Sequence, residues 1–406
     1  MLYYEIKKVF SKTSNRIVLF VLGMILLIII GLCVNSVVWV NEEGYEEKGF
    51  SAINKLRETK NEWSGLLTED KIAQVIQENL KLNRKYLSKG KQQENIAYGK
   101  KQGFSDIREL INRSFSPFRD YDYYTIDSIS ITDAYKFYTN RIKSLDEWLT
   151  GEAKDQFSKG EKDYFINQYK KMKNPLEYRY QDGWKYLMEY SSTLIIITVV
   201  IICILIAPIF SCEKQLKADS VFYSSFNGRN KAITTKIKAG ILIMTGIYWI
   251  TIIIYTTAIL GIFGIEGKNC MIQTNGMWKS FYNLTNFQEY LLIIFGSYIC
   301  CIFMSSLTMY VSAHTNSTAF SAIVSFVVIF APSMLSSLSS NDVVSKFLGV
   351  FPDQLLNLNR VVSLFLVYKI GDKYFNPFWI LFILYIFLII IIQPLTYQIF
   401  RRKELS

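Results

Sequence analysis

Six long apolar runs divide this chain and constrain its fold more than any other feature. A helix needs about 20 residues to cross the hydrocarbon core of a bilayer, and each run reaches that length with almost no charged residue. The runs predict membrane spans at 17–40, 190–210, 239–263, 290–311, 318–338 and 378–400. The expected fold is therefore an all-α integral membrane protein. The first run is too long and unbroken for a cleaved secretory signal, so we expect it to be retained.

The positions of lysine and arginine predict how the spans are oriented. Basic residues concentrate in 1–16, 211–238 and 401–406, three segments that share one side of the membrane if there are six spans. Loops rich in these residues stay in the cytoplasm. We therefore expect a multi-pass protein of a bacterial plasma membrane with both termini in the cytoplasm. The formal net charge of +11 reflects this asymmetry and attraction to lipid headgroups, so no nucleic-acid partner is predicted.

This orientation places residues 41–189 outside the cell as one large domain between the first two spans. Charges of both signs are interspersed through it, and 71–86 and 131–149 carry apolar residues at helical spacing. The domain is therefore expected to be mostly helical. It contains no cysteine, which suits a bacterial protein. Near its end, Asp182-Gly183 predicts a turn ahead of the second span.

Aromatic side chains cluster near the middle of this domain. Such spacing closes a domain core more often than it holds an amphipathic peptide or lipid. We expect a core position for Phe115, Phe118, Tyr121, Tyr123 and Tyr124.

The remaining connections are a 264–289 loop outside, a 312–317 turn in the cytoplasm and a 339–377 segment outside. The last contains an apolar run, 361–367, that is too short to cross a bilayer. Two interpretations of 339–377 stay open. It either dips into the membrane or packs on the bundle as exterior half-helices around Phe351-Pro352, or it forms a plain surface loop.

Residues 1–16 predict a short amphipathic helix. Leu2, Ile6, Val9 and Phe10 fall at helical spacing, with basic residues opposite. Such a helix would lie along the inner membrane surface. An unstructured tail is the alternative.

Motifs for ATP hydrolysis and for common catalytic centres are missing from the sequence. No Gly-x-x-x-x-Gly-Lys-Ser/Thr occurs, so the chain has no phosphate-binding loop of its own. No nucleophile elbow or His-Glu-x-x-His occurs, and the lone His314 has no second ligand type beside it. We therefore expect no enzyme activity, no cofactor and no metal in this chain.

The cytoplasmic connection 211–238 is unusually long and polar, and it contains one apolar helical face. That face suits a helix that rests on lipid or fits a groove on a cytoplasmic partner. A turn at Asn227-Gly228 follows it. The face is formed by Ala218, Val221, Phe222, Ser225 and Phe226.

This connection resembles the one between the second and third spans of ABC transporter permeases of the type-two exporter class. There, a Glu leaves the second span, an amphipathic coupling helix follows, and an Arg and a Lys lead into the third span. Glu213, Arg229 and Lys236 match that pattern. The sequence departs from it at Lys217-Ala218, where a Gly-Thr pair is frequent, and at Phe226, where a Pro is frequent.

The resemblance extends over the membrane part, and the large exterior domain is similar to that of Gram-positive permeases of the class. It implies contact with an ATPase through Glu213, Ala218, Val221, Phe222, Phe226, Gly228, Arg229 and Lys236. The alternative for Glu213 and Arg229 is a pair of interfacial charges at helix ends, whose side chains reach toward water.

The function implied is that of a permease subunit that exports or extracts an amphipathic substrate such as a peptide, an antibiotic or a lipid. Its partners would be cytoplasmic ABC ATPase subunits, which carry the ATP and Mg, a second permease copy or related permease, and membrane lipid. A membrane-anchored peptide sensor or assembly subunit without transport is the main alternative. An enzyme acting on lipid is disfavoured because its catalytic groups are missing.

Overall fold

The computed structural model describes residues 1–86, 90–215, 228, 230–336 and 342–402. Within them, six helices are long and apolar enough to cross a membrane, which confirms that prediction. We name them the first to sixth apolar helices: Thr13–Ser36, Asp182–Gln215, Lys231–Phe263, Asn286–Thr315, Thr318–Leu335 and Pro377–Arg401.

The second and fourth apolar helices form the centre of the bundle. Their most apolar windows are 72% and 61% buried, against 22% and 17% for the fifth and sixth helices. The second helix consists of Asp182–Ile206 followed by Pro208–Gln215. Pro208 takes the first position of the second piece, where a missing backbone N–H costs little. The outer helices therefore present most of their apolar surface outward.

The ends of several apolar helices differ by a few residues from the predicted span limits. The first apolar helix ends at Ser36, because Val38–Val40 pairs as an antiparallel strand with Glu46–Lys48. The second begins at Asp182 instead of residue 190, so the predicted Asp-Gly turn is the first turn of a helix. An acidic residue in the first turn stabilises a helix, because its negative charge lies near the positive end of the helix dipole.

Two connections between consecutive apolar helices are also shorter than the predicted loops. The third apolar helix begins at Lys231 instead of residue 239, so only 216–230 separate it from the second. Asn316, in the left-handed conformation with φ 55°, follows the end of the fourth helix at Thr315. Helical hydrogen bonds thus extend beyond the apolar residues that set the predicted limits.

We call residues 37–181 the inserted domain. Its described part is mostly helical, as predicted; its side of the membrane stays a prediction. The strand pair Gly65–Leu66 and Glu177–Tyr178 joins its early and late parts, and Gln102–Phe104 and Ile131–Lys136 are short 3-10 helices. The α-helices are Phe50–Asn61, Glu69–Tyr86, Lys91–Lys101, Ser105–Phe115, Thr125–Ser128, Phe137–Thr150 and Lys159–Lys170.

The aromatic cluster expected to close the domain core does so only in part. Phe118 is buried, and Phe115 packs against the core. Tyr121, Tyr123 and Tyr124 are 38%, 46% and 67% exposed, so the prediction is wrong for them. Tyrosine can present an apolar ring to the protein while its hydroxyl stays in water, so helical spacing alone does not decide its position.

The inserted domain packs directly on the connection between the third and fourth apolar helices. Arg141, which is buried, donates from Nε to the carbonyl of Trp278 at 3.1 Å and from Nη2 to that of Ser280 at 2.8 Å. The Tyr169 hydroxyl donates to the carbonyl of Lys279 at 2.5 Å. The inserted domain is thus attached to the rest of the protein by side-chain hydrogen bonds as well as by the chain itself.

The chain between the fifth and sixth apolar helices forms what we call the half-helix segment, residues 342–376. It contains Asp342–Leu348, Pro352–Leu356 and Leu358–Ser363, and then the strand pair Tyr368–Ile370 and Lys373–Phe375.

This segment reaches well into the bundle. The Cys300 thiol, near the middle of the fourth apolar helix, donates to the carbonyl of Pro352 at 3.3 Å. The Tyr385 hydroxyl of the sixth helix donates to the carbonyl of Val350 at 3.0 Å. Leu355 and Leu356 are fully buried. Of the two interpretations of this segment, the structure favours packed half-helices over a surface loop.

Candidate functional site

Glu213 lies near the end of the second apolar helix that is remote from the inserted domain. A helix running from Asp182 to this point is about 45 Å long. The carboxylate is buried, and its Oε1 accepts hydrogen bonds from Lys236 Nζ at 2.6 Å and Lys8 Nζ at 2.8 Å. The Cys212 thiol donates to Oε2 at 3.2 Å. Both oxygens of Glu213 are therefore bonded by side chains of this chain.

Lys236, in the second turn of the third apolar helix, is fully buried. Besides Glu213, its Nζ donates to the carbonyl of Ile209 at 2.8 Å and to Glu5 Oε2 at 3.4 Å. Burying an ammonium group costs several kcal/mol unless a counter-ion and further hydrogen bonds compensate it. The pairing with Glu213 therefore determines how the second and third helices meet.

The N-terminal helix Leu2–Ser11 supplies the rest of this cluster. Glu5 and Lys8 are three residues apart, so they share one face of the helix. Burial lowers the pKa of Lys8, but hydrogen bonds to Cys212 and Glu213 raise it by more, and the net pKa is raised. We define the ion cluster as Glu5, Lys8, Glu213 and Lys236, two carboxylates and two ammonium groups.

The apolar face of the N-terminal helix packs on the bundle. Val9 is buried, and Ile6 and Phe10 pack against the main core. The Asn15 side chain donates to the carbonyl of Val9 at 2.8 Å and closes the bend into the first apolar helix. The predicted helix is thus present, and its apolar face packs on the protein; its position along a membrane surface stays a prediction.

The terminal piece of the second apolar helix, Pro208–Gln215, also contacts the fifth and sixth helices. The Ser211 and Thr318 hydroxyls share a hydrogen bond of 2.7 Å. The rings of Phe210 and Phe400 lie 4.8 Å apart between centroids. A displacement of this piece would therefore act on the N-terminal, third, fifth and sixth helices together.

A second buried charge group lies at the other end of the second apolar helix. Lys60 of the inserted domain forms ion pairs with Asp182 at 2.8 Å and Asp106 at 3.0 Å. The Tyr178 hydroxyl donates to Asp106 at 2.8 Å. Burial opposes both charges, but the paired charges and hydrogen bonds raise the pKa of Lys60 and lower that of Asp106. The second helix thus has a buried charge contact at each end.

A cleft of about 480 Å³ opens beside Lys60, between the inserted domain and the ends of the first and second apolar helices. Its lining includes Arg108, Lys185, Tyr121 and Tyr123. The guanidinium of Arg108 lies 4.1 Å from the centre of the Tyr123 ring. Cations, carboxylates and aromatic rings in one wall suit a polar ligand.

The structure describes three of the predicted coupling residues. It brings Glu213 and Lys236 into contact, and it places Gly228 as a buried residue in a turn. The other predicted coupling residues lie outside the described residues: Ala218, Val221, Phe222, Phe226 and Arg229.

The sequence interpretation missed Glu5 and Lys8. The only sequence pattern that could have pointed to them is an acidic and a basic residue on the polar face of the predicted amphipathic helix. A helix face that is simply exposed to solvent has the same pattern. Lys8 bonds to a residue 205 positions along the chain. Helical periodicity carries no information about such a partner.

Within the ranges that the structure describes, no group of three or more His, Cys, Asp or Glu side chains is placed to hold a metal ion. Comparison of the chain with known protein families, with curated proteins and with solved structures gave no match. The functional argument therefore depends on the residues themselves.

Proposed function

We propose that this chain is the transmembrane permease subunit of an ATP-driven ABC transporter, which exports or extracts an amphipathic substrate such as a peptide, an antibiotic or a lipid. Cytoplasmic ATPase subunits would bind ATP and Mg, and a second permease copy or a related permease would complete the membrane part. The missing phosphate-binding loop supports placing hydrolysis on another chain.

The observation that carries the proposal is the pair of buried charge contacts on the second apolar helix. At one end Asp182 is bonded to Lys60 of the inserted domain, and at the other end Glu213 is bonded to Lys236. The second apolar helix ends at Gln215, two residues after Glu213, and the connection 216–230 follows it in the chain. A force applied to that connection would therefore reach the inserted domain along one helix.

Coupling of this kind requires that the two states of the bundle bind the nucleotide-loaded ATPase with different affinity. The ion cluster supplies a physical basis for two discrete states, because a buried pair is either formed with good geometry or lost at a large cost. Closure of the ATPase subunits would shift this equilibrium and move the second helix relative to its neighbours.

Purification from the cells that make the protein tests the proposal. A tagged chain should copurify with a chain that carries a phosphate-binding loop, in fixed stoichiometry, and the complex should hydrolyse ATP. The chain purified alone should show no hydrolysis above background. A membrane-anchored sensor or assembly subunit would bring no ATPase, and hydrolysis by the isolated chain would contradict the proposal.

Lys8→Met tests the role of the ion cluster. This lysine is 34% exposed, so its loss separates the N-terminal helix from Glu213 without leaving a charge fully buried. We expect normal complex yield with ATPase activity that no longer responds to substrate. Lys12→Met, on the same terminal segment outside the cluster, is the matched control and should behave as wild type.

A further inference from the structure

A cavity of about 300 Å³ lies where the inserted domain meets the half-helix segment. Its floor is apolar and includes Phe157, Leu364 and Phe365. The domain supplies Arg119 to its wall, and the half-helix segment supplies Arg360. The cavity thus combines an apolar surface with two guanidinium groups that belong to different parts of the chain.

A third cation lies close to the same aromatic group. The guanidinium of Arg119 is 4.7 Å from the Trp148 ring centre, and Trp148 stacks on Phe118 with centroids 4.8 Å apart. The Lys279 ammonium lies 5.1 Å from the Phe118 ring centre. The two stacked rings therefore each carry one cation.

Among the ion pairs that the described residues form, none involves Arg119, Arg360 or Lys279. Arg119 and Arg360 are exposed, and Lys279 is half-buried. Burial and repulsion from Arg113 and Arg119 lower the pKa of Lys279. An anion bound in this region would relieve that repulsion.

The charge and shape of the cavity point to the class of ligand. A phosphate monoester carries about two negative charges, more than a single carboxylate, and the arginine fork matches phosphate oxygens with paired hydrogen bonds. The apolar floor matches an acyl chain. The half-helix segment that lines the cavity also contacts the fifth and sixth apolar helices. Only 22% and 17% of their apolar windows are buried, so lipid on those helices would lie next to the segment.

We propose that this cavity binds a phosphate-bearing amphiphile such as an anionic phospholipid, with the phosphate held by Arg119 and Arg360 and an acyl chain on the apolar floor. Binding does not require the ATPase. Only the further step, that the bound amphiphile is the transported substrate, rests on the proposed function.

Native mass spectrometry of the full chain in neutral detergent tests the site. The chain is titrated with dioleoyl phosphatidic acid in the presence of equal dioleoyl phosphatidylcholine. We expect preferential retention of phosphatidic acid, and a loss of about tenfold or more in its affinity in R119Q/R360Q, because charge-assisted paired hydrogen bonds disappear. R84Q/R179Q removes the same charge from exposed arginines elsewhere on the domain and should bind as wild type.

Further probes separate the parts of the ligand. Dioleoyl glycerol, which lacks the phosphate, should not be retained, and glycerol 3-phosphate, which lacks the chains, should compete weakly. L364S should weaken phosphatidic acid binding by reducing the apolar floor. If R119Q/R360Q does not fold, R360Q alone is used, since Arg360 is exposed.

Equal retention of phosphatidic acid by wild type and the arginine variants would overturn the proposal. So would competition by glycerol 3-phosphate as strong as that by the lipid, which would make the cavity a site for free phosphate. These outcomes are independent of ATPase copurification, so failure of the lipid site and failure of the transporter proposal can be told apart.

Discussion

The ammonium group of Lys236 donates a hydrogen bond of 2.6 Å to Glu213 although Lys236 has no exposed surface. The two residues belong to consecutive apolar helices, and the chain between them is the long polar connection 216–230. Their contact therefore fixes both ends of the segment proposed to meet the ATPase. The contribution of this contact to the stability of the protein can be measured with variants.

Glu213→Gln should strongly destabilise the protein. The glutamine keeps the shape of the side chain but leaves the Lys236 ammonium buried without its main counter-ion, a change that costs about 3–5 kcal/mol. Thermal unfolding of the full chain in detergent measures the effect. The double variant Glu213→Gln/Lys236→Met should lose less than the sum of the single variants, because the two groups interact directly.

Lys55→Met serves as the control for this measurement. It removes a half-exposed pair with Glu47 at 2.7 Å, and pairs of that kind contribute about 0–1 kcal/mol. If Glu213→Gln unfolds at the same temperature as Lys55→Met, the ion cluster does not hold the bundle together.

The ion pairs of Lys60 with Asp106 and Asp182 should make the protein most stable within a defined pH range. The pKa of Asp106 is lowered from 3.8 in the fold, so its contribution is present above pH 3.8 and is lost as pH falls through the folded value. The pKa of Lys60 is raised from 10.5, so its contribution is present below pH 10.5 and is lost as pH rises through the folded value. Unfolding temperatures measured against pH should therefore be highest between these limits.

Lys60→Met should reverse the way in which the unfolding temperature changes with pH below neutrality. Without the ammonium, the partly buried carboxylate of Asp106 loses the positive charge that lowers its pKa, so its protonation stabilises the variant. Its unfolding temperature should rise as the solution is acidified from neutral pH toward pH 4, where that of wild type does not. Lys136→Met breaks an exposed pair with Asp133 and should keep the wild-type profile; parallel curves for all three proteins would contradict the assignment.

Thiol labelling of intact cells tests the predicted orientation. Single cysteines at Lys91 and Lys154 should react with an impermeant reagent, whereas one at Lys231 should react only after permeabilisation. All three positions are exposed and all six native cysteines are buried, so the difference reports the side of the membrane. Labelling of Lys231 in intact cells would exclude the six-span orientation.

Phe222→Ala and Phe226→Ala test the apolar face that the sequence predicts in the connection. If this face occupies a groove on the ATPase, removing one ring should cost about 2 kcal/mol or more of binding, and ATPase copurification should fall while membrane insertion survives. A face that rests on lipid would leave ATPase yield unchanged. Tyr45→Ala removes an exposed ring from the inserted domain and should alter neither.

The sequence alone was sufficient to locate the six apolar helices but not their ends. Hydropathy identifies residues that tolerate a hydrocarbon environment, and that property is local. The fourth helix extends past its predicted limits to a capping box formed by Thr285 and Gln288, a pattern that is readable in the sequence. The second helix begins early at Asp182, which also forms an ion pair with Lys60, a partner that no local pattern reveals.

The candidate site divides in the same way. Glu213 and Lys236 were named from the resemblance of the connection to that of ABC permeases, whereas Lys8 joined them only through the packing of the N-terminal helix on the bundle. The exposure of Tyr121 and the depth of Pro352 were likewise undecided by the sequence. Periodicity specifies which residues share a face of one helix, but ion pairs and burial depend on which faces meet, and that is determined by packing between segments far apart in the chain.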